Sequence, residues 1–221
     1  MDLINKYIEQ TNLKPVITDK DIYTLVDEAK EHQFLGICVP PFWVKKAKRE
    51  LGSVDIKLVT VIGFPLGYNM TETKVEELTR AIGDGANELD LVMNISAFKA
   101  NMPWVKIELA KCATLAHSHS VLLKVIIETA YLDEDEVVKA SLLSQHAGAD
   151  FVKTSTGFAS SGATIDQIKL MRKVLSPEVG IKASGGIKNY EQAIAFIEAG
   201  AERIGTSSGV EIMKQSKNKF T

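Results

Sequence analysis

The apolar and polar positions along the chain fall into two alternating periods. Short, continuous apolar runs recur, bounded by glycine, proline or polar clusters. After each comes a longer stretch with apolar positions at helical spacing. Residues 2–10 predict a short helix, and T-N-L-K-P, Thr11 to Pro15, a brief extended piece that Pro15 ends. Thr18, with Asp21 three positions on, predicts a helix start, and Ile22, Leu25, Val26 and Ala29 its buried stripe. Strands are then predicted over 36–40, 57–64, 87–94, 121–128, 149–154, 179–184 and 202–206. The helices between and after them are predicted over 42–51, 71–83, 102–117, 133–148, 164–175, 190–200 and 209–217. The helix from Asp133 has an acidic first turn, which suits the positive end of its dipole.

Counted from Thr11, this makes eight strands, each followed by a helix. The strands are apolar throughout rather than alternating, as in a parallel sheet covered by helices. Eight such units without a change of composition predict one domain over residues 1–221: a (β/α)8 barrel with a short N-terminal helix, not an open doubly wound sheet.

Composition narrows the function classes. Apolar residues make up 45% and charged residues 24% of the 221 positions, and the net charge is −2. That balance argues against an electrostatic grip on nucleic acid or on an anionic membrane. The basic clusters (Lys45, Lys46, Lys48 and Arg49; Lys214, Lys217 and Lys219) read as solvated surface. Cys38 and Cys112 do not make a disulfide framework and read as free thiols. No apolar run approaches the roughly 18 residues of a membrane span. The opening residues lack the basic-then-apolar pattern of a secretory leader. A reducing cytoplasm is therefore the expected setting. The spacing of His32, His117, His119 and His146 fits no zinc site, so no metal is expected.

Two similar phrases carry the chemistry. F-V-K-T-S-T-G, Phe151 to Gly157, places Lys153 at the end of strand six, and G-I-K-A-S-G-G, Gly180 to Gly186, places Lys182 at the end of strand seven. In a barrel the site lies at these carboxyl ends. Alternation turns Phe151 and Lys153 to one face and Val152 to the other, and we place the lysines inward. Two inward ammonium groups on neighbouring strands repel, and burial disfavours both, so at least one pKa is expected to fall. A neutral lysine is a nucleophile towards carbonyls. By the same parity Asp90 on strand four and Lys124 on strand five face inward and can pair. The pair reads either as a structural filler of the barrel or as a carboxylate that relays protons, held ionised by Lys124.

Three loops have the composition of a phosphate cradle: Thr156 and Gly157 after strand six, Ser184, Gly185 and Gly186 after strand seven, and G-T-S-S-G, Gly205 to Gly209, after strand eight. Glycines admit an anion to backbone N–H groups, hydroxyls donate, and a helix start adds its dipole.

Together V-K-T-S-T-G-F, K-A-S-G-G-I, E-L-D-L-V-M-N, L-K-V-I-I-E-T and R-I-G-T-S-S-G resemble the deoxyribose-phosphate aldolase family over nearly the whole chain. The resemblance implies a class I aldolase on a (β/α)8 barrel that needs no cofactor. Such an enzyme cleaves 2-deoxy-D-ribose 5-phosphate reversibly to D-glyceraldehyde 3-phosphate and acetaldehyde. Its partners would be a phosphorylated sugar and short aldehydes, with a homodimer common in the family. By motif, Lys153 would form the Schiff base and Lys182 would perturb its pKa. Asp90 would donate and accept protons with support from Lys124. Gly157, Gly185, Gly186, Ser207 and Ser208 would hold the phosphate, and Thr156 and Cys38 would line the sugar pocket. The family's usual I-D-H-T-x-L-K-P is here I-E-Q-T-N-L-K-P, with Glu9 and Gln10 replacing Asp and His, and the chain stops at Phe220-Thr221 without the tyrosine-ended tail of some members. Two other readings remain open: a sugar-phosphate isomerase or epimerase with Asp90 as base, and a silent sugar-phosphate-binding barrel.

Overall fold

In a computed structural model the chain is described over residues 3–218. The expected helix start at Asp2, the basic residue Lys219 and the end at Phe220-Thr221 lie outside the described residues. Eight parallel strands run in sequence order around a closed barrel, with β1 pairing both β2 and β8. The strands are β1 (Ile8–Thr11), β2 (Gly36–Val39), β3 (Lys57–Ile62), β4 (Glu88–Val92), β5 (Leu122–Ile126), β6 (Phe151–Lys153), β7 (Gly180–Ser184) and β8 (Arg203–Thr206). Around them lie α1 (Asp19–His32), α2 (Val44–Leu51), α3 (Thr71–Gly83), α4 (Ile95–Lys99), α5 (Trp104–Ser118), α6 (Glu134–His146), α7 (Ile165–Val174), α8 (Tyr190–Glu198) and α9 (Gly209–Asn218). Among the described residues no helix is long and apolar enough to cross a membrane.

Local signals account for most boundaries. Thr18 with Asp21, Asp133 with Glu136, and Thr164 with Gln167 form capping boxes that satisfy the first N–H groups of α1, α6 and α7. The start of the chain departs from expectation. The N-terminal helix is a single 3-10 turn over Ile4–Tyr7, and β1 begins at Ile8. Glu9 and Gln10 are therefore strand residues: Ile8–Thr11 pairs on both sides, and closing the barrel outweighs the weak helical pattern of so short a segment. The short α4 is also unexpected. Asn94 caps it by accepting from the Ala97 N–H.

Outward strand residues such as Leu89, Leu91, Val152 and Ile181 join helix residues such as Leu109, Val137 and Ile168 in one apolar shell. A second, smaller cluster of Cys38, Val59 and Val61, with Leu13 and Phe64 against it, packs separately from the shell. Register sets Asp90 level with Lys124, and Lys153 level with Lys182.

Candidate active site

The inward side chains of β1, β4, β5, β6 and β7 meet in one buried layer of charge. Glu9, Glu88, Asp90, Lys124, Lys153 and Lys182 are all buried. Asp90 is the hub. Its Oδ1 accepts from Lys124 Nζ at 3.1 Å, and its Oδ2 from Lys153 Nζ at 2.8 Å and Lys182 Nζ at 2.7 Å. Lys182 also donates to Glu9 Oε2. Lys124 lies 2.5 Å from Glu88 Oε2 and 3.5 Å from Glu9 Oε1, and Arg203 Nε lies 3.7 Å from the same Glu9 oxygen. Glycine makes the room: a Cβ on Gly205 would sit 3.0 Å from Lys182 Cε, and one on Gly180 2.2 Å from the Phe151 ring.

The electrostatics of Lys182 run against simple repulsion. Repulsion between two lysines predicts a depressed amine, yet Lys182 is held above the ordinary lysine value. Burial opposes its charge, but Asp90 and Glu9 outweigh burial. Lys124 is raised in the same way: burial is overcome by Asp90, Glu9 and Glu88. In turn, burial works against the Asp90 carboxylate, and Lys124, Lys153 and Lys182 more than reverse it, holding it well below the carboxylate range. Glu9 is likewise lowered, with Lys124 and Lys182 overcoming its burial. The repulsion argument left out the carboxylates that share the layer.

Above this layer opens a cavity of about 460 Å³. Lys153 reaches its wall, whereas Lys182, Lys124, Asp90 and Glu9 lie beneath it. Thr156, Gly157, Ser184, Gly185, Gly186, Gly205, Ser207 and Ser208 all line it. Gly185 and Gly186 have φ of 88° and 80°, a backbone that glycine adopts without strain. The Ser184 hydroxyl turns away and donates to Ser155 O at 2.6 Å, so what Ser184 offers the cavity is its position rather than its hydroxyl proton. Gln10 braces the β8–α9 turn: its Oε1 accepts from Gly209 N at 2.9 Å, and its Nε2 donates to Glu28 Oε2 at 2.8 Å.

Cys38 is placed differently from expectation. It is fully buried against Val59 and Val61 and is not on the cavity wall, because Leu13 and Phe64 pack over that side of the barrel. Burial pushes its thiol up to about 11. Sequence reasoning marked Glu9 and Gln10 only as departures from the family motif, and passed over Glu88 and the cavity residues Glu28 and Lys188. Glu88 was legible, since it shares a face with Asp90 two positions on. Lys188, just past Gly186 and Ile187, adds a cation at the cavity wall.

Similarity to known proteins converges on one group. The sequence profile described as DeoC/LacD family aldolase matches residues 4–215. A deoxyribose-phosphate aldolase of Thermococcus kodakarensis is 55% identical over 96% of this chain and 96% of its own. One from Brevibacillus brevis is 51% identical over 97% and 96%. Among solved structures, an aldolase called QR15 superposes with a TM-score of 0.94 at 43% identity, covering 100% of this chain and 98% of its own. A deoxyribose phosphate aldolase from Aeropyrum pernix, described as tetrameric, superposes at 0.89 with 34% identity over 98% and 92%.

Proposed function

The chain belongs to the DeoC/LacD family of aldolases, and from that premise we propose that it cleaves 2-deoxy-D-ribose 5-phosphate reversibly to D-glyceraldehyde 3-phosphate and acetaldehyde. The observation that carries this reading is the placement of the lysines: Lys153 alone of the buried charge layer meets the cavity, and it shares an Asp90 oxygen with Lys182.

The chemistry follows from that placement. The Lys153 amine attacks C1 of the open-chain sugar, and loss of water leaves an iminium ion. Lys182, kept protonated by Asp90 and Glu9, is the cation beside it. The C3 hydroxyl gives up its proton to Asp90 through water, the C2–C3 pair flows towards the iminium, and glyceraldehyde 3-phosphate departs. Protonation of the resulting enamine at C2 and hydrolysis release acetaldehyde and restore the amine. Lys124 keeps Asp90 ionised between these steps. The three lining loops hold the phosphate, and that remote grip positions the carbonyl. The protein's own residues supply every group in this sequence, with no cofactor. We place the protein in the cytoplasm as a homo-oligomer; the two buried free thiols suit a reducing compartment.

Borohydride trapping tests the reading. With 2-deoxyribose 5-phosphate the unmodified protein releases acetaldehyde and becomes covalently labelled at Lys153, and Lys153→Ala does neither. Full labelling of Lys153→Ala would overturn the assignment.

A further inference from the structure

Glu128 is a buried carboxylate that the reaction above does not use. It stands just beyond β5 with a φ of 50°. The other non-glycine residues with positive φ are Gln33, Asn101 and Ser120, and each follows the end of a helix, where such a backbone is common. Among the described residues Glu128 alone takes it at a strand end. Strain of this kind persists only where the surroundings hold it, and it concentrates at functional sites.

The Glu128 side chain is held by Thr156. Glu128 Oε2 accepts from the Thr156 backbone N–H at 3.1 Å and from the Thr156 hydroxyl. The same hydroxyl oxygen accepts from Phe158 N at 3.0 Å. A threonine hydroxyl has one proton and two lone pairs. The proton is committed to Glu128 and one lone pair to Phe158, so only a lone pair is left for the cavity that Thr156 lines. Thr156 can therefore accept a hydrogen bond there but cannot donate one. Along the chain it lies between Lys153, which meets the carbonyl end of the substrate, and Gly157, which begins the phosphate loops. A group lying between those ends is the carbon that carries a hydroxyl next to the phosphorylated carbon.

We infer that Glu128 is a positioning residue: it fixes the Thr156 hydroxyl as an acceptor, so that the site selects aldehydes bearing a hydroxyl on the carbon beside the carbonyl. The inference rests on the aldolase reading and adds a specificity device to it.

The test is the addition of acetaldehyde to two acceptors, D-glyceraldehyde 3-phosphate and 3-phosphooxypropanal, which differ only in that hydroxyl. The unmodified protein is expected to favour the hydroxylated aldehyde at least about tenfold in kcat/KM, since a site built to pair a hydroxyl discriminates against its absence. Thr156→Val and Glu128→Met should each bring the ratio close to one. The double variant should bring no further change, because the two act as a unit. Glu128→Gln keeps an acceptor oxygen and should stay within about twofold of the unmodified ratio. Should Glu128→Met fail to fold by circular dichroism, Glu128→Asp, which withdraws the carboxyl by one methylene, takes its place with the same expected loss. A merely structural Glu128 would lower both aldehydes equally and leave the ratio intact. That outcome, or an unchanged ratio in Thr156→Val, overturns this inference alone. No addition to either aldehyde, with no acetaldehyde from 2-deoxyribose 5-phosphate, overturns the aldolase reading and this inference with it.

Discussion

Buried lysines occur on both sides of the barrel wall, and the two sites use them differently. Outside the barrel, Lys74 on α3 is fully buried, donating to Glu108 Oε1 of α5 at 2.6 Å and to Val92 O at 2.9 Å. Glu108 Oε2 accepts from Thr71 Oγ1 at 3.0 Å. This is one cation with one carboxylate, each with a second neutral partner. Inside, three lysines converge on the two oxygens of Asp90, and Glu9 and Glu88 make up the balance. The outer pair ties two helices to the end of β4. The inner layer cannot be divided into pairs, so moving a proton or adding a covalent bond at one amine is felt by all the others. Burial of a lysine does not distinguish the sites; sharing of its partner does.

If that contrast holds, Asp90→Asn should have the largest effect on activity. We expect kcat/KM for 2-deoxyribose 5-phosphate to fall about 10³-fold, or ~4 kcal/mol. Near-normal turnover would make the inner layer as structural as the outer one. Lys74→Met should do the reverse. It leaves Glu108 buried without its cation and is expected to lower unfolding stability by about 3–5 kcal/mol, measured by denaturant titration, while turnover per folded molecule stays within about twofold. Adding Glu108→Leu should recover most of that stability, and a collapse of turnover in Lys74→Met would break the comparison from the other side.

Glu9→Gln probes the sharing itself. Lys182 loses one of the two carboxylates that hold its pKa up, so the alkaline limb of the pH–rate profile should move to lower pH, with kcat reduced about tenfold. An unmoved limb would separate Glu9 from Lys182. The smallest expected effect is on stability against pH. The carboxylates Asp90 and Glu9 have lowered folded values, so their contribution is complete above about pH 4 and lost as pH falls through the folded values. Lys182 and Lys124 have raised values, so theirs is complete below about pH 10.4 and lost as pH rises through them. The inner layer should therefore leave the thermal midpoint flat between about pH 5 and 9, and a slope there that Glu9→Gln removes would contradict the directions given.

Most of the barrel could be read from the sequence because its signals are local and repeated. The two-residue period of a strand placed Asp90, Lys124, Lys153 and Lys182 inward, and helix caps such as Thr18 with Asp21 are spelled out in four letters. The failures share a cause. Glu9 sits on a four-residue strand whose identity comes from pairing with β2 and β8, not from its own pattern. Without Glu9 and Glu88 the layer reads as two repelling lysines, and nothing in that reading shows Lys182 held above the ordinary lysine value. Cys38 was placed in the sugar pocket by the family resemblance, but a shared motif does not say whether Leu13 and Phe64 cover a side chain. The wall contributed by Gln10 and Glu28 depends on how α1 folds back over β1, which no short motif encodes.

The contact between Glu9 and Lys182 spans 173 positions of the chain. During synthesis the carboxylate is made first and waits for its lysine until seven strands exist; at about 5–20 residues per second that is on the order of ten seconds or more. A partial barrel lacking β1 leaves three buried lysines with two carboxylates, and one lacking β7 leaves three carboxylates with two lysines, so neither has much reason to close. The charge layer thus works as a completeness check: the nucleophile acquires its working surroundings only in a chain that has been made and threaded to the seventh strand.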